Sequence, residues 1–206
     1  MKTLIMKATV AAFCFAATSA FATSPPWAHV ESISYAGSGC PAGSVAENLS
    51  DDLTAFTLLF DDYVAEVGPG ISRREARKNC QINLDLKFPQ GWSYTLFEVD
   101  YRGYVGIDRG VTALQSSRYY FQGNRHSCKF DTKFYGSMDD DYEIHDTVAA
   151  SALVWSPCGA NRSLNINTQV RLASRKRGAT GIITMDSVDG QVTQLYGIKW
   201  KRCPGY

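Results

Sequence analysis

The chain is poor in the residues and motifs that commonly announce a reaction. It holds only three histidines and four methionines in 206 residues. No GxSxG nucleophile elbow and no HExxH zinc helix occurs, which removes the familiar serine- and zinc-hydrolase signatures. No CxxC pair is present either, so zinc ribbons and thioredoxin-type redox centres are excluded. Beyond the first two dozen residues, no apolar run approaches the roughly 20 residues that a bilayer helix needs. A basic surplus is missing as well: 21 Lys and Arg stand against 20 Asp and Glu. That balance argues against a dedicated nucleic-acid binder, which carries a strongly basic face. Helical periodicity is scarce. Only "SRREARKN", where Ser72 and Glu75 have capping-box spacing, predicts a helix, of about two turns at most.

What is present begins with an export signal. Lys2 and Lys7 precede an apolar run through Val10, Ala11, Ala12, Phe13, Cys14 and Phe15, and Ala20-Phe21-Ala22 fits a cleavage site. Residues 1–22 are expected to be removed, leaving one domain over 23–206 in a secreted or periplasmic setting. Cys14 leaves with the signal, since Phe13 stands where a lipoprotein signal needs a small residue. Removing 22 of 206 residues leaves 184, and losing Lys2 and Lys7 leaves 19 basic against 20 acidic residues. Such a length suits one domain with a sizeable core. Five cysteines remain: Cys40, Cys80, Cys128, Cys158 and Cys203. Outside the cytoplasm, cysteines so widely spaced read as disulfides. An odd number leaves one thiol free or paired with another chain.

Period-two patterning dominates the remainder. In "CQINLDLKF", Cys80, Ile82, Leu84, Leu86 and Phe88 share one face, with Gln81, Asn83, Asp85 and Lys87 on the other. "SLNINTQVRL" alternates in the same way, so both read as half-buried strands. "LTAFTLLF", "WSYTLFEV", "RYYFQG", "KFDTKFY" and "QLYGIKWK" are rich in aromatic and β-branched residues. Asp189-Gly190 is a hairpin signal expected to join "GIITMDSV" to the last strand. "TSPPWAHVES" reads as a loose lead-in, with His29 in a mobile position. The expectation is an all-β antiparallel β-sandwich, or a flattened barrel, stabilised by disulfides and holding at most one short helix.

The contexts "GSGCP" at 37–41, "KNCQINL" at 78–84, "DYRGYVGIDRGV" at 100–111, "WSPCG" at 155–159, "LNINTQVRL" at 164–172 and "WKRC" at 200–203 resemble one family. It is the group of small secreted fungal and bacterial proteins known as domain of unknown function 4360. The resemblance implies export and a cysteine-stabilised domain, and it supplies no reaction, cofactor or catalytic residue. Family cysteines match Cys40, Cys80, Cys158 and Cys203, with Cys128 as an addition. On that resemblance the expected bridges are Cys40–Cys80 and Cys158–Cys203. Spacing alone leaves all three pairings of four cysteines open.

Several side-chain groups are candidates for a site. In "SMDDDYEIHD", six of ten residues are Asp, Glu or His. If its second half is a strand, Asp141, Glu143 and His145 share one face and suit a divalent cation. The competing account is an edge strand whose outward charges block sheet-to-sheet aggregation. Asp51-Asp52 and Asp61-Asp62 are candidates for a calcium-binding rim, or simply turn residues. Trp92, Tyr94, Tyr101, Arg102 and Tyr104 offer aromatic and guanidinium surface for sugar rings, against an alternative role in core packing. His126 sits two residues from Cys128, a spacing that would share a strand face and activate the thiol. Arg171, Arg175, Lys176 and Arg177 form a basic cluster expected on a hairpin loop. "NLS" at 48–50 and "NRS" at 161–163 match the glycosylation sequon. Taken together, these features point to a non-catalytic extracellular binding or structural module, with a cell-surface polysaccharide as partner. No nucleic acid and no membrane span is expected, and no cofactor beyond the possible divalent cation. The runner-up is a small metal-assisted hydrolase using Asp141, Glu143 and His145, and Cys128 offers a route to an intermolecular disulfide.

Overall fold

Residues 24–158, 160–185 and 194–205 are described by a computed structural model. The chain runs through β1 (His29–Ala36), β2 (Val45–Leu49), β3 (Ala55–Phe60), β4 (Val64–Val67), β5 (Arg77–Lys87) and β6 (Trp92–Ile107). It continues through β7 (Val111–Phe121), β8 (Cys128–Tyr135), β9 (Met138–Thr147), β10 (Leu164–Ser174), β11 (Gly181–Thr184) and β12 (Gln194–Arg202). A single 3-10 turn at Ala150–Ala152 follows β9. One sheet has five strands in the order β1-β5-β10-β7-β8; the other has seven, with β2-β3-β12-β6-β11-β4 as its path and β9 on β6. Every recorded strand pair is antiparallel. The architecture is therefore a β-sandwich.

The alternation read from sequence sets which residues meet between the sheets. Ile82, Leu84, Leu164, Ile166 and Phe121 face inward from the five-stranded sheet, against Phe56, Leu58, Tyr101 and Tyr196 from the other. The centre is unusually phenolic, and its hydroxyls are tied across the two layers. Tyr63 Oη lies 2.9 Å from Thr168 Oγ1, and Tyr101 Oη lies 2.5 Å from Ser117 Oγ. Thr168 and Ser117 are direct cross-strand partners, so each sheet reads the other's register at this row. Burial pushes the pKa of Tyr63 and Tyr101 upward, keeping both phenols neutral as hydrogen-bonding groups. Two disulfides close the ends, Cys40–Cys80 on β5 and Cys158–Cys203 after β12.

Four local expectations are corrected. Residues 73–76 form turns and β5 starts at Arg77, so the "SRREARKN" helix does not exist. The Ser72 hydroxyl instead accepts the N–H of Arg74, a local bond that competes with helix formation. The lead-in is not loose, because β1 pairs along β5 with His29 opposite Lys87. A register shift between Val30 and Ser32 breaks its alternation and hides it from pattern reading. The basic residues 175–177 lie in the connection from β10 to β11, which crosses from one sheet to the other rather than making a hairpin. Finally, the two acidic pairs flank β3 at opposite ends, about 20 Å apart at the rise of a strand, and form no common rim. Asp52 instead holds its own turn by accepting from Ser50 Oγ, Thr54 N and Thr54 Oγ1.

Asp189-Gly190 lies outside the described residues. The strands it was expected to join do not pair with one another: β11 bonds β4 and β6, while β12 bonds β3 and β6. Since β9 occupies the opposite edge of β6 across residues 98–107, β11 and β12 share a single edge and run in the same direction.

Candidate functional site

Strand β6 carries all five residues that the sequence singles out for a sugar ligand, and a bulge decides which of them reach solvent. Gly197 pairs with Glu98 and Ile198 with Leu96, which leaves Phe97 unmatched. One extra residue inverts the alternation beyond it. Tyr94 and Leu96 are buried before the bulge, and Val99, Tyr101 and Val105 after it. Tyr94 and Tyr101, seven positions apart, therefore both enter the core. Tyr94 packs edge-on against Phe88 and Phe121. Trp92 is only 2% exposed, with the Arg202 guanidinium 4.2 Å above its ring. Trp92, Tyr94 and Tyr101 are packing residues and offer no surface to a ligand. Arg102 and Tyr104 remain on the outer face.

Strand β9 lies beside that face, with Asp100 opposite His145, Arg102 opposite Glu143 and Tyr104 opposite Asp141. The expected alternation holds: Asp141, Glu143 and His145 point outward while Tyr142 is buried and Ile144 half-buried. They do not converge on a point. Residues two apart on a strand stand roughly 6.7 Å from each other, and two of the three have other partners. Arg102 Nη2 and Nε donate to Glu143 Oε1 at 2.8 and 3.1 Å. His145 Nδ1 makes a short contact with Asp100 Oδ1, which raises the imidazole's proton affinity by hydrogen bonding and then by charge. Among the described residues, no group of three or more His, Cys, Asp or Glu is arranged to hold an ion. The outer edge of β9 is unpaired among the described residues, and its charges there suit an edge strand that must not recruit another sheet.

Farther along β6 a groove of about 490 Å³ opens, lined by Tyr104, Gly106, Asp108, Asp139, Thr180 and Ile182 among others. Gly106 leaves its floor bare. A Cβ on Gly106 would stand 2.6 Å from Tyr104 Oη, so the phenol lies across bare backbone on the outer face. A Cβ on Gly103, on the inner face, would stand 2.7 Å from Tyr142 Oη. Tyr142 covers that gap and donates to the Thr184 carbonyl at 2.6 Å. The backbone near Tyr104 is thus bare on the outer face and backed from within. The Tyr104 hydroxyl donates to Asp139 Oδ1, an arrangement that raises the phenol's pKa. Across the groove, Asp108 Oδ2 accepts from Thr180 N at 2.7 Å and Thr180 Oγ1 at 2.9 Å. Those bonds hold the Asp108 carboxyl below its ordinary range. The result is a half-exposed aromatic ring bordered by fixed carboxylates.

The family described as Domain of unknown function (DUF4360) matches residues 27–203. The chain belongs to the DUF4360 family. An uncharacterized secreted protein of Arthroderma benhamiae is 46% identical over 182 residues, covering 88% of this chain and 74% of the relative. The protein is secreted. Its resemblance to solved structures is shallow. TmCBM61 in complex with beta-1,4-galactotriose aligns with 84% of this chain and 90% of its own at 9% identity, with a TM-score of 0.29. The enzymatically active domain of tailspike protein 4 from bacteriophage CBA120 aligns with 83% of this chain and 19% of its own at 15% identity, with a TM-score of 0.26. Likenesses at that level carry no functional argument.

The other candidates fall as follows in this DUF4360 member. Cys128 opens β8, half-buried in a small apolar cleft with Leu96, Tyr119, Val154 and Leu164, its Sγ 3.3 Å from the Ala152 carbonyl. Burial raises its thiol pKa, the reverse of an activated nucleophile. His126 precedes the strand in an exposed turn, its N–H bonded to Asn124 Oδ1, and shares no strand face with Cys128. Both sequon asparagines, Asn48 and Asn161, are exposed. No helix among the described residues is long and apolar enough to cross a membrane. Asp108, Thr180 and Ile182 escaped sequence reasoning, because only strand pairing brings 104–108, 137–139 and 180–182 together.

Proposed function

We propose that this secreted protein is a non-catalytic binding module whose Tyr104 groove receives a sugar ring of a cell-surface polysaccharide. Residues 1–22 act as its export signal and 23–206 as one binding domain. The observation that carries the reading is the Tyr104 ring reaching across Gly106 in a groove it shares with Asp139 and Ile182. An aromatic face accepts the apolar side of a sugar, and fixed carboxylates beside it accept hydroxyl hydrogens. Asp139 and Asp108 are already oriented by Tyr104 and Thr180, so little ordering cost remains for binding.

The test is co-sedimentation of the secreted protein with a panel of insoluble cell-wall polysaccharides. Retention on at least one is expected, and Tyr104→Ala is expected to weaken it about 30-fold, the cost of a central aromatic anchor. A correctly folded protein retained by none of them refutes the reading, as does retention indifferent to Tyr104→Ala.

A further inference from the structure

The opposite sheet presents a second surface of different chemistry. Its outer face carries Arg77, Asn79 and Gln81 on β5, Asn167, Gln169 and Arg171 on β10, and Ser116 and Arg118 on β7. Register brings these into rungs: Arg77 beside Arg171, Asn79 beside Gln169, and Gln81 beside Asn167. On the far side of β10, Gln169 meets Ser116 and Asn167 meets Arg118. All of these but Arg171 line a shallow groove of about 390 Å³ that reaches from Arg77 to Arg118, and Arg171 stands beside it, opposite Arg77.

Two features of that groove call for an anion. Arg77 and Arg171 are exposed and stand directly opposite each other on neighbouring strands, a placement that like charges disfavour. Neither makes an ion pair among the described residues. The acid closest in register, Asp131, is opposite Ser116 and already accepts from Lys129 Nζ and Ser116 Oγ, both at 2.6 Å. The Arg118 guanidinium, two outward rungs away, spends its Nε on Ser127 Oγ and keeps its other N–H groups. Cations therefore stand at both ends of a row of amides.

Amides and guanidinium groups together specify more than charge. Asn and Gln each offer a donor and an acceptor, matching hydroxyls that also both donate and accept. A planar guanidinium fits a carboxylate or sulfate through paired N–H bonds. We infer that the outer face of the five-stranded sheet binds an acidic polysaccharide, its carboxylate or sulfate groups held by Arg77 and Arg171 and its hydroxyls by the amide rungs. This site is separate from the Tyr104 groove, which lies on the outer face of the other sheet, and does not depend on it.

The experiment is calorimetric titration of the secreted protein with polygalacturonate oligosaccharides, sulfated dextran fragments, unmodified dextran and a short DNA duplex. Binding to polygalacturonate or sulfated dextran is expected, weakening as salt rises, and which of the two binds identifies the anionic group. Joint substitution Arg77→Gln and Arg171→Gln is expected to cost at least about tenfold in affinity, while Tyr104→Ala leaves it unchanged. Both arginines are exposed, and an unaltered melting temperature verifies the fold. Failure of both acidic glycans to bind overturns the inference. So does equal binding to unmodified dextran or to DNA, or an affinity that survives the double substitution.

Discussion

Replacing Ser117 by alanine should destabilise the protein far more than the loss of one small hydroxyl suggests. Ser117 is 1% exposed, and its Oγ lies 2.5 Å from Tyr101 Oη while accepting from Tyr119 Oη at 2.9 Å. Alanine is nearly isosteric, so no cavity forms. Two phenolic hydroxyls instead lose their partner in a site without water access. Each unsatisfied buried group costs about 1–3 kcal/mol, giving about 2–6 kcal/mol in total. Tyr101→Phe removes one bond but leaves Ser117 paired with Tyr119, so it should cost only about 1 kcal/mol. The triple replacement Ser117→Ala, Tyr101→Phe, Tyr119→Phe removes every polar member of the trio. It should be more stable than Ser117→Ala alone, because no buried donor or acceptor is stranded. Urea unfolding followed by tryptophan fluorescence measures all four proteins. A Ser117→Ala cost below about 1 kcal/mol, or a triple variant no more stable than Ser117→Ala alone, would refute the account of the trio.

Three further outcomes follow from the same geometry. Gly106→Ala sets a Cβ 2.6 Å from Tyr104 Oη, the far end of a movable side chain. The urea midpoint should therefore shift little while polysaccharide retention falls as far as in Tyr104→Ala; intact retention would disconnect the ring's position from binding. Replacing Cys40 and Cys80 together by serine releases a loop with a sequence separation of 40. Chain entropy sets the expected loss at about 4 kcal/mol, and a urea midpoint within error of the parent's contradicts it. The Asp100 hydrogen bond and charge raise the His145 ionisation in the folded state. Its stabilising contribution is therefore complete below the unfolded value near about 6.5 and disappears as pH rises through the higher folded value. NMR titration of the imidazole should show that elevation, and Asp100→Asn should bring it down. An unmoved midpoint in the variant rules out Asp100 as the cause.

Much of the fold is legible because strand alternation records which face is buried. "CQINLDLKF" and "SLNINTQVRL" carry that record without interruption, and β5 and β10 sit where the pattern places them. Composition and the widely spaced cysteines likewise point to the setting in which disulfides form, and the resemblance to DUF4360 supplies the pairing that spacing leaves open. Short-range chemistry misleads where tertiary pairing overrides it. The capping-box spacing of Ser72 and Glu75 loses to the turn that feeds β5.

The site was decided by the tertiary structure. Pattern reading cannot foresee that Phe97 is unmatched, yet that single residue sends Tyr94 and Tyr101 into one core and leaves Arg102 and Tyr104 outside. The metal candidate was correctly placed on one strand face, but only pairing with β6 supplies the Arg102 and Asp100 that engage Glu143 and His145. The Tyr104 groove and the Arg77–Arg171 rung join residues between 35 and 94 positions apart by their numbers in the chain. By itself, the sequence determined the secreted setting, the β class and the inward face of its most regular strands, because local alternation and composition suffice for those. Register, bulge position and the meeting of distant side chains were decided only in three dimensions, because each depends on which strand lies next to which.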